Sequence, residues 1–399
     1  MLPERHSGIL EQIFVWFADW HIGICETTEK SEDRVTSCPK TRQVDYPCYC
    51  NPIYSSLNRT LCRSREIALY PLRFHPIFKD YLWGGQRLAE VLGKATGPGV
   101  WAESWEIVDH VNGQSVVEFG EFSGQTLSEL IASHGATLLG QQVYDRITNK
   151  SVPQQLRGRF PLLLKFLDAN RDLSVQVHPD DTIGATLETP DFGKTEAWYI
   201  VDAQPGAKIY AGLKTGVTAE DFRAAIEQGK AAEALHSFPA SAGDCVFIRA
   251  GTVHAIGAGL MVCEIQQASD TTFRLFDWNR VDDQGNSRPL HIEQGIAATD
   301  FSIGPVQPQQ PDQATDSNNQ QLVKCDKFHL NRVQIDGTSE IGGDGKFHIV
   351  AVVNGEIKIE NDPAGKAMTI GSSALIPADS KSLEIKAGTP ATILEISLP

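Results

Sequence analysis

The feature that most constrains this chain is a polar face that recurs on apolar strands far apart in the sequence. The stretch Asp172–Ile200 reads DLSVQVHPDDTIGATLETPDFGKTEAWYI. Leu173, Val175 and Val177 alternate in it with Ser174, Gln176 and His178, a period of two that predicts a β-strand. Gln176 and His178 then point to one face of it. Glu196 opens a second predicted strand, Glu196–Val201, and His254 follows a third, Asp244–Ile248. Polar groups on an inward face need partners. Taken singly, each residue has an ordinary explanation: a histidine satisfied within its strand, or a surface ion pair between Glu196 and Lys194. Taken together, two histidines, a carboxylate and an amide make a ligand set for a divalent metal such as zinc, with one position left for water or substrate.

A chain of 399 residues with 41% hydrophobic content can build two domains, or one large domain with an appendage. Its net charge of −15 argues against a nucleic-acid or anionic-membrane partner, and no apolar run approaches the ~20 residues of a membrane span. Five of the eight cysteines, Cys25, Cys38, Cys48, Cys50 and Cys62, precede residue 63. They lack the C-x₂-C spacing of structural zinc sites. Cys245 and Cys263 fall in apolar strands as small core residues, so nothing in the chain calls for an oxidising compartment.

Residues 1–68 read differently from the rest. ILEQIFVWFADWHIGI forms a short amphipathic pattern, and some forty polar, turn-rich residues follow it. Glu4 and Asp19 argue against a signal peptide. The expectation is a disordered extension or a misassigned start. From residue 69 the chain predicts strands over Tyr70–Phe74, Ala102–His110, Ser115–Phe122 and Phe160–Leu167, with Trp101 and Trp105 in the core. Gln125–Arg146 predicts a pair of helices interrupted at Gly135. KIYAGL is another strand. Thr218 is a helix N-cap with Asp221 three residues on. Residues 305–319 read as a linker. Five strand-like segments follow in residues 320–399, with a hairpin at Asn354–Glu356, and suggest a smaller jelly roll. It holds no comparable cluster of His, Cys and Glu. His329 and His348 are expected to be structural.

The wording of four segments adds a further constraint. FPLLLKFLDANRDLSVQVHPDD, GKTEAWYI, AGTVHAIGAG and EIQQASDTTFRLFDWNR resemble, in order, the type I phosphomannose isomerases of the cupin superfamily, closest to their short bacterial form. The resemblance begins at YPLRFHPIFKDYLWGG and runs to the C-terminus. It implies a mainly β fold of two cupin jelly-roll domains (double-stranded β-helices): residues 69–304 catalytic and metal-binding, with helical insertions, and residues 320–399 without metal. It also implies one Zn²⁺ held by Gln176, His178, Glu196 and His254 at the rim of a β-barrel. The implied reaction is the interconversion of mannose 6-phosphate and fructose 6-phosphate through a cis-enediol, in a cytoplasmic enzyme. By the same resemblance, Arg274 and Lys194 fall at the family's active-site arginine and lysine, Asp270 at an aspartate proposed in proton transfer, and Glu264 at a glutamate near the zinc. Asp180 and Asp181 read as turn formers, Trp198 and Tyr199 as core. Lys165, in PLLLKFLDA, either reaches the pocket or snorkels outward. Two other readings stand beside this one: a cupin dioxygenase with an apolar pocket, and a non-catalytic sugar-phosphate-binding cupin.

Overall fold

The computed structural model describes residues 68–281, 284–311 and 318–399. Arg65–Pro399 form one compact unit. The amphipathic stretch near the start and the five early cysteines lie outside the described residues.

Three antiparallel sheets carry the fold. The first has six strands in the spatial order Ile77–Lys79, Glu103–Ile107, Leu162–Ala169, Leu260–Gln267, Glu196–Ala203 and Cys245–Ile248. The second has five: Phe273–Phe276, Val175–Val177, His254–Ile256, Lys208–Leu213 and Leu235–Pro239. Alternation decides how these two meet. Leu167, Trp198, Ile200, Val262 and Ile248 of the first sheet pack against Ile209, Ala211 and Ile256 of the second. Their sequence neighbours Phe166, Ala197, Tyr199, Cys263 and Ile265 face the other way, as successive side chains on a strand must.

That other face is apolar too, and two layers cover it. One is the helical insertion Leu127–Leu139, through Leu130, Ile131 and Leu138. The other is the third sheet, through Leu330, Ile349, Ala351, Leu394 and Ile396. The outer face of the second sheet, with Val175, Val177 and Leu275, is covered by the helices Ala219–Glu227 and Ile292–Ala298. The third sheet has seven strands built on the long pair His329–Ile341 and Leu383–Ser397, and it folds over a core of its own around Val333, Val350, Val352 and Ile393. The molecule is thus mainly β, a pair of jelly rolls with helical insertions. Its sheets pack face to face as open layers and do not close into a barrel, which corrects that expectation.

Other local expectations are also corrected. Tyr70–Phe74 and Ser115–Phe122 form no strands. They make isolated bridges, Leu72 to Leu375, Phe74 to Val117 and Val116 to Thr126. The predicted interruption at Gly135 takes the form of a kink at the adjacent His134 within Leu127–Leu139, and a second break at Gly140 separates this helix from Gln141–Thr148. Gly140 adopts φ 85°, a conformation open to glycine, and the first helix is kinked at His134. Gly135 serves close packing: a Cβ there would lie 2.2 Å from the Tyr144 ring of the second helix. The two last predicted strands are one continuous strand, Leu383–Ser397. The Thr218 cap forms as read, with Asp221 completing the reciprocal box.

Candidate metal and active site

The inward parity that buries Trp198 and Ile200 also turns Glu196 inward on the first sheet. Across the gap, Gln176 and His254 are register partners on the second, with Arg274 opposite Gln176 on the far side. His178 lies just past the end of Val175–Val177. His178, Glu196 and His254 are buried, and each offers a ligand atom within 4.8 Å of the others. His178 Nε2 and His254 Nε2 each stand 3.5 Å from a Glu196 carboxylate oxygen. The Gln176 amide lies 3.3 Å from His254 Nε2.

Backbone carbonyls set the tautomers. His178 Nδ1 donates to Thr271 O at 3.0 Å and His254 Nδ1 to Thr252 O at 2.9 Å. Burial pushes the His254 imidazole down to about 4, and burial and nearby Lys194 take His178 well below its usual range. Both rings are therefore neutral near pH 7, and each aims an Nε2 lone pair at the Glu196 carboxylate. Acceptors converging on acceptors in a dry site repel unless a cation lies among them. His178 Nε2 and Glu196 Oε2 indeed have no hydrogen-bond partner in the protein. This donor set, with its carbonyl-oriented imidazoles, fits a divalent metal. The Gln176 amide turns its nitrogen to His254 Nε2 and accepts from Ser174 Oγ at 3.2 Å on its oxygen; a half-turn about the last torsion would present that oxygen to the cluster.

A polar cavity of about 260 Å³ opens beside this cluster. Gln176, Lys194, Glu196, Glu264, Asp270 and Arg274 all line it, while His178 and His254 stand behind them. Lys194 Nζ lies 3.5 Å from Glu196. Glu264 is Lys165's register partner, and Lys165 Nζ sits 3.2 Å from Glu264 and 3.5 Å from Glu103. Burial alone would push the Lys165 ammonium down, but Glu103 and Glu264 hold it above its usual value. Glu264 is shifted up, by burial and by the charge of Glu196, against the opposing pull of Lys165. Arg274 donates to Pro289 O at 3.0 Å, and its Nε has no partner. Burial and the neighbouring Arg288 hold it below its usual range. Arg288 is clamped on Asp277 through two bonds, at 2.8 and 2.7 Å. Two adjacent guanidinium groups at a cavity wall favour an anionic ligand. At the rim, Asp270 accepts from Asn112 Nδ2 at 2.7 Å.

All eight residues singled out in the sequence thus gather at one place. Four titratable lining residues were not assigned there: Lys165, left undecided, and Glu103, Tyr81 and Arg288. Lys165 carried a usable signal. It shares the inward parity of Leu167 and Ala169, so a lysine there requires buried counter-charges. Arg288 carried none, lying in a polar loop. Trp198 is core, as read, and also lines the cavity. His348 pairs with Asp344 at 3.0 Å and Glu395 at 2.9 Å and does not line the cavity. Asp180 caps the short helix Asp181–Gly184, and Asp181 bonds Gly193 N, Gln267 and Lys327.

Residues 72–197 match the family model for the catalytic domain of type I phosphomannose isomerase, and residues 318–393 the cupin domain of mannose-6-phosphate isomerase. The chain is 38% identical over 287 residues to the mannose-6-phosphate isomerase ManA of Bacillus subtilis, covering 72% of this chain and 86% of that one. It is 37% identical over 319 residues to the mannose-6-phosphate isomerase of Streptococcus mutans, covering 78% and 94%. A crystal structure of the Bacillus subtilis mannose 6-phosphate isomerase superposes with a TM-score of 0.70 at 29% identity, covering 83% of this chain and all of that one.

Proposed function

The chain belongs to the type I phosphomannose isomerase family, and from that premise we propose that it is a mannose-6-phosphate isomerase whose active site is the cavity beside Glu196. It interconverts mannose 6-phosphate and fructose 6-phosphate by moving a proton between C2 and C1 through a cis-enediol. The observation that carries this reading is the pairing of a metal-ready cluster with a cationic wall in one polar cavity. That wall does not suit the apolar substrate of a cupin dioxygenase.

Gln176, His178, Glu196 and His254 would hold one Zn²⁺. When bound, it supplies positive charge that polarises a sugar oxygen and orients the substrate. The protein's own groups divide the remaining work. Arg274, with its Nε unpartnered, and Arg288 hold the phosphate. Lys194 places a positive charge next to Glu196 and, with the buried Lys165, favours the negative charge that develops on the enediol oxygens. Glu264 is suited to proton exchange, because its upward-shifted carboxyl can both take and return a proton. Asp270 stands at the rim of the same cavity, bonded to Asn112 and open to solvent, a second carboxylate within the site. Trp198, Trp83 and Leu173 supply the apolar part of the wall and exclude water.

Residues 69–304 carry this machinery, and residues 320–399 support it by packing. Among the described residues the third sheet contains no cluster of metal-ligating side chains. Free, buried Cys245 and Cys263, and a phosphorylated sugar as substrate, are in keeping with a cytoplasmic enzyme. No described helix is long and apolar enough to cross a membrane. The test is a coupled assay of the purified protein on mannose 6-phosphate, before and after chelation and after adding back zinc. Turnover that disappears on chelation and returns with zinc supports the reading. A protein without activity in any of these states, or one fully active without metal, refutes it.

A further inference from the structure

Asp191 lies outside the cavity lining, yet its carboxylate ties together several parts of the site. It is buried, and Oδ2 accepts three hydrogen bonds from one turn: Ser269 Oγ at 2.9 Å, Asp270 N at 3.1 Å and Thr271 Oγ1 at 2.8 Å. Oδ1 accepts from Phe192 N at 2.9 Å and faces His110 Nε2 at 3.6 Å. The turn it holds has two consequences. The carbonyl of Thr271 is the acceptor that orients His178 through Nδ1. Asp270, whose backbone N–H is bonded to Asp191, reaches the cavity between this tether and a second one: its Oδ2 accepts from Asn112 Nδ2. Asn112 in turn donates its N–H to His110 Nδ1 at 3.2 Å, which leaves the Nε2–H of His110 facing Asp191. Asp191, His110, Asn112 and Asp270 thus close a ring, and the route from Asp191 to His178 leaves it at Thr271.

We propose that Asp191 is a positioning residue for the isomerase reaction: by fixing the turn Ser269–Thr271 it aims the Asp270 carboxylate into the cavity and locks the His178 ring toward Glu196. The claim rests on the function proposed above and deepens it. Geometry makes the carboxylate hard to replace. Four protein N–H or O–H donors and His110 converge on it. An asparagine would turn an NH₂ toward at least one of them, donor against donor. The turn would then be released from the Asp191 side chain, with no substitution among the groups that touch substrate.

The experiment compares parent, Asp191→Asn, Asp270→Asn and the double variant in kcat and KM for mannose 6-phosphate, with zinc affinity measured by competition with a chelator. Asp191→Asn is expected to lower kcat about 10–100-fold and to weaken zinc binding over a similar range, the scale seen when a group supporting a metal ligand is lost. KM is expected to stay within about threefold, since no substrate contact is removed. With both forms assayed at saturating zinc, so that the His178 route does not limit turnover, the Asp191 effect on kcat should shrink in the double variant, because its route through Asp270 has already been cut. Parent-like kcat and zinc affinity in Asp191→Asn overturn the proposal, and so do losses that multiply in the double variant. If Asp191→Asn does not fold, Thr271→Val removes one donor and leaves the carboxylate in place. A fall in kcat and zinc affinity then supports the proposal, and parent values overturn it. An inactive parent sinks the assigned function instead, while the chelator competition still reports on His178.

Discussion

Replacing Lys165 by methionine should be among the most damaging changes in the first jelly roll, and the damage should depend on pH. Lys165 Nζ is 3.2 Å from Glu264 and 3.5 Å from Glu103, with side-chain exposures of 7%, 3% and 9%. At an effective dielectric of about 20, each contact is worth roughly 5 kcal/mol of Coulomb attraction before desolvation is counted. Methionine keeps the volume and removes the charge, leaving two carboxylates buried without their cation. Breaking a buried pair from one side typically costs about 3–5 kcal/mol. Glu264 already sits above its usual value because of burial and Glu196. Without Lys165 its folded-state value moves further up. A carboxyl whose folded pKa exceeds its unfolded one is a net cost above that folded value, and the cost disappears as pH falls toward the unfolded value. Urea unfolding of metal-loaded parent and Lys165→Met at pH 7 should therefore show a gap of about 3–5 kcal/mol that narrows toward pH 5. Adding Glu264→Gln should recover part of it. A gap under about 1 kcal/mol, or one equal at both pH values, would show that Lys165 does not neutralise this pair.

Three further outcomes follow from the same geometry. His254→Ala should strip the protein of metal and reduce turnover beyond the ~10–100-fold typical of losing a supporting residue, read by metal analysis and the coupled assay; a zinc-replete, fully active variant contradicts the ligand assignment. Arg274→Ala should lower kcat/KM for mannose 6-phosphate roughly 10–100-fold, the scale of a lost hydrogen bond to a charged group, and if the parent isomerises unphosphorylated mannose equally well the phosphate role fails. A chain starting at residue 69 should keep parent kcat and KM in the coupled assay, and soluble but inactive truncated protein would show that the first 68 residues belong to the working enzyme.

What was legible in the sequence was the part that local periodicity encodes. The alternation around Gln176 gave the strand and the side on which its polar groups lie. It held because Val175 and Val177 face an apolar layer, so no other parity is affordable. What was not legible depended on partners distant in sequence. Tyr70–Phe74 has strand-like residues but finds only single bridges, to Leu375 and Val117, so it never joins a sheet. Gly135 and Gly140 look alike on paper. Only the proximity of Tyr144 at one and the positive φ at the other distinguish packing from chain reversal. Arg288 could not be assigned to the site because its position depends on Asp277, eleven residues away and clamped from two sides.

The second jelly roll contributes none of the candidate ligands, yet its packing bears on the site. Glu264 and Lys165 point inward only because Cys263, Ile265, Leu164 and Phe166 point outward, and those outward residues form a broad apolar face. Left in water, that face would remove the reason for the register that brings Lys165 opposite Glu264. Leu330, Ile349, Ala351, Leu394 and Ile396 of the third sheet cover part of it, and the bridge from Leu375 to Leu72 ties the third sheet to the chain just ahead of the first strand. A polar constellation held this far inside a β-sandwich needs apolar order on both sides of the sheet that carries it. The C-terminal sheet therefore acts on the chemistry through register: it fixes which face of Leu162–Ala169 and Leu260–Gln267 is inside, and with that which charges meet at the cavity.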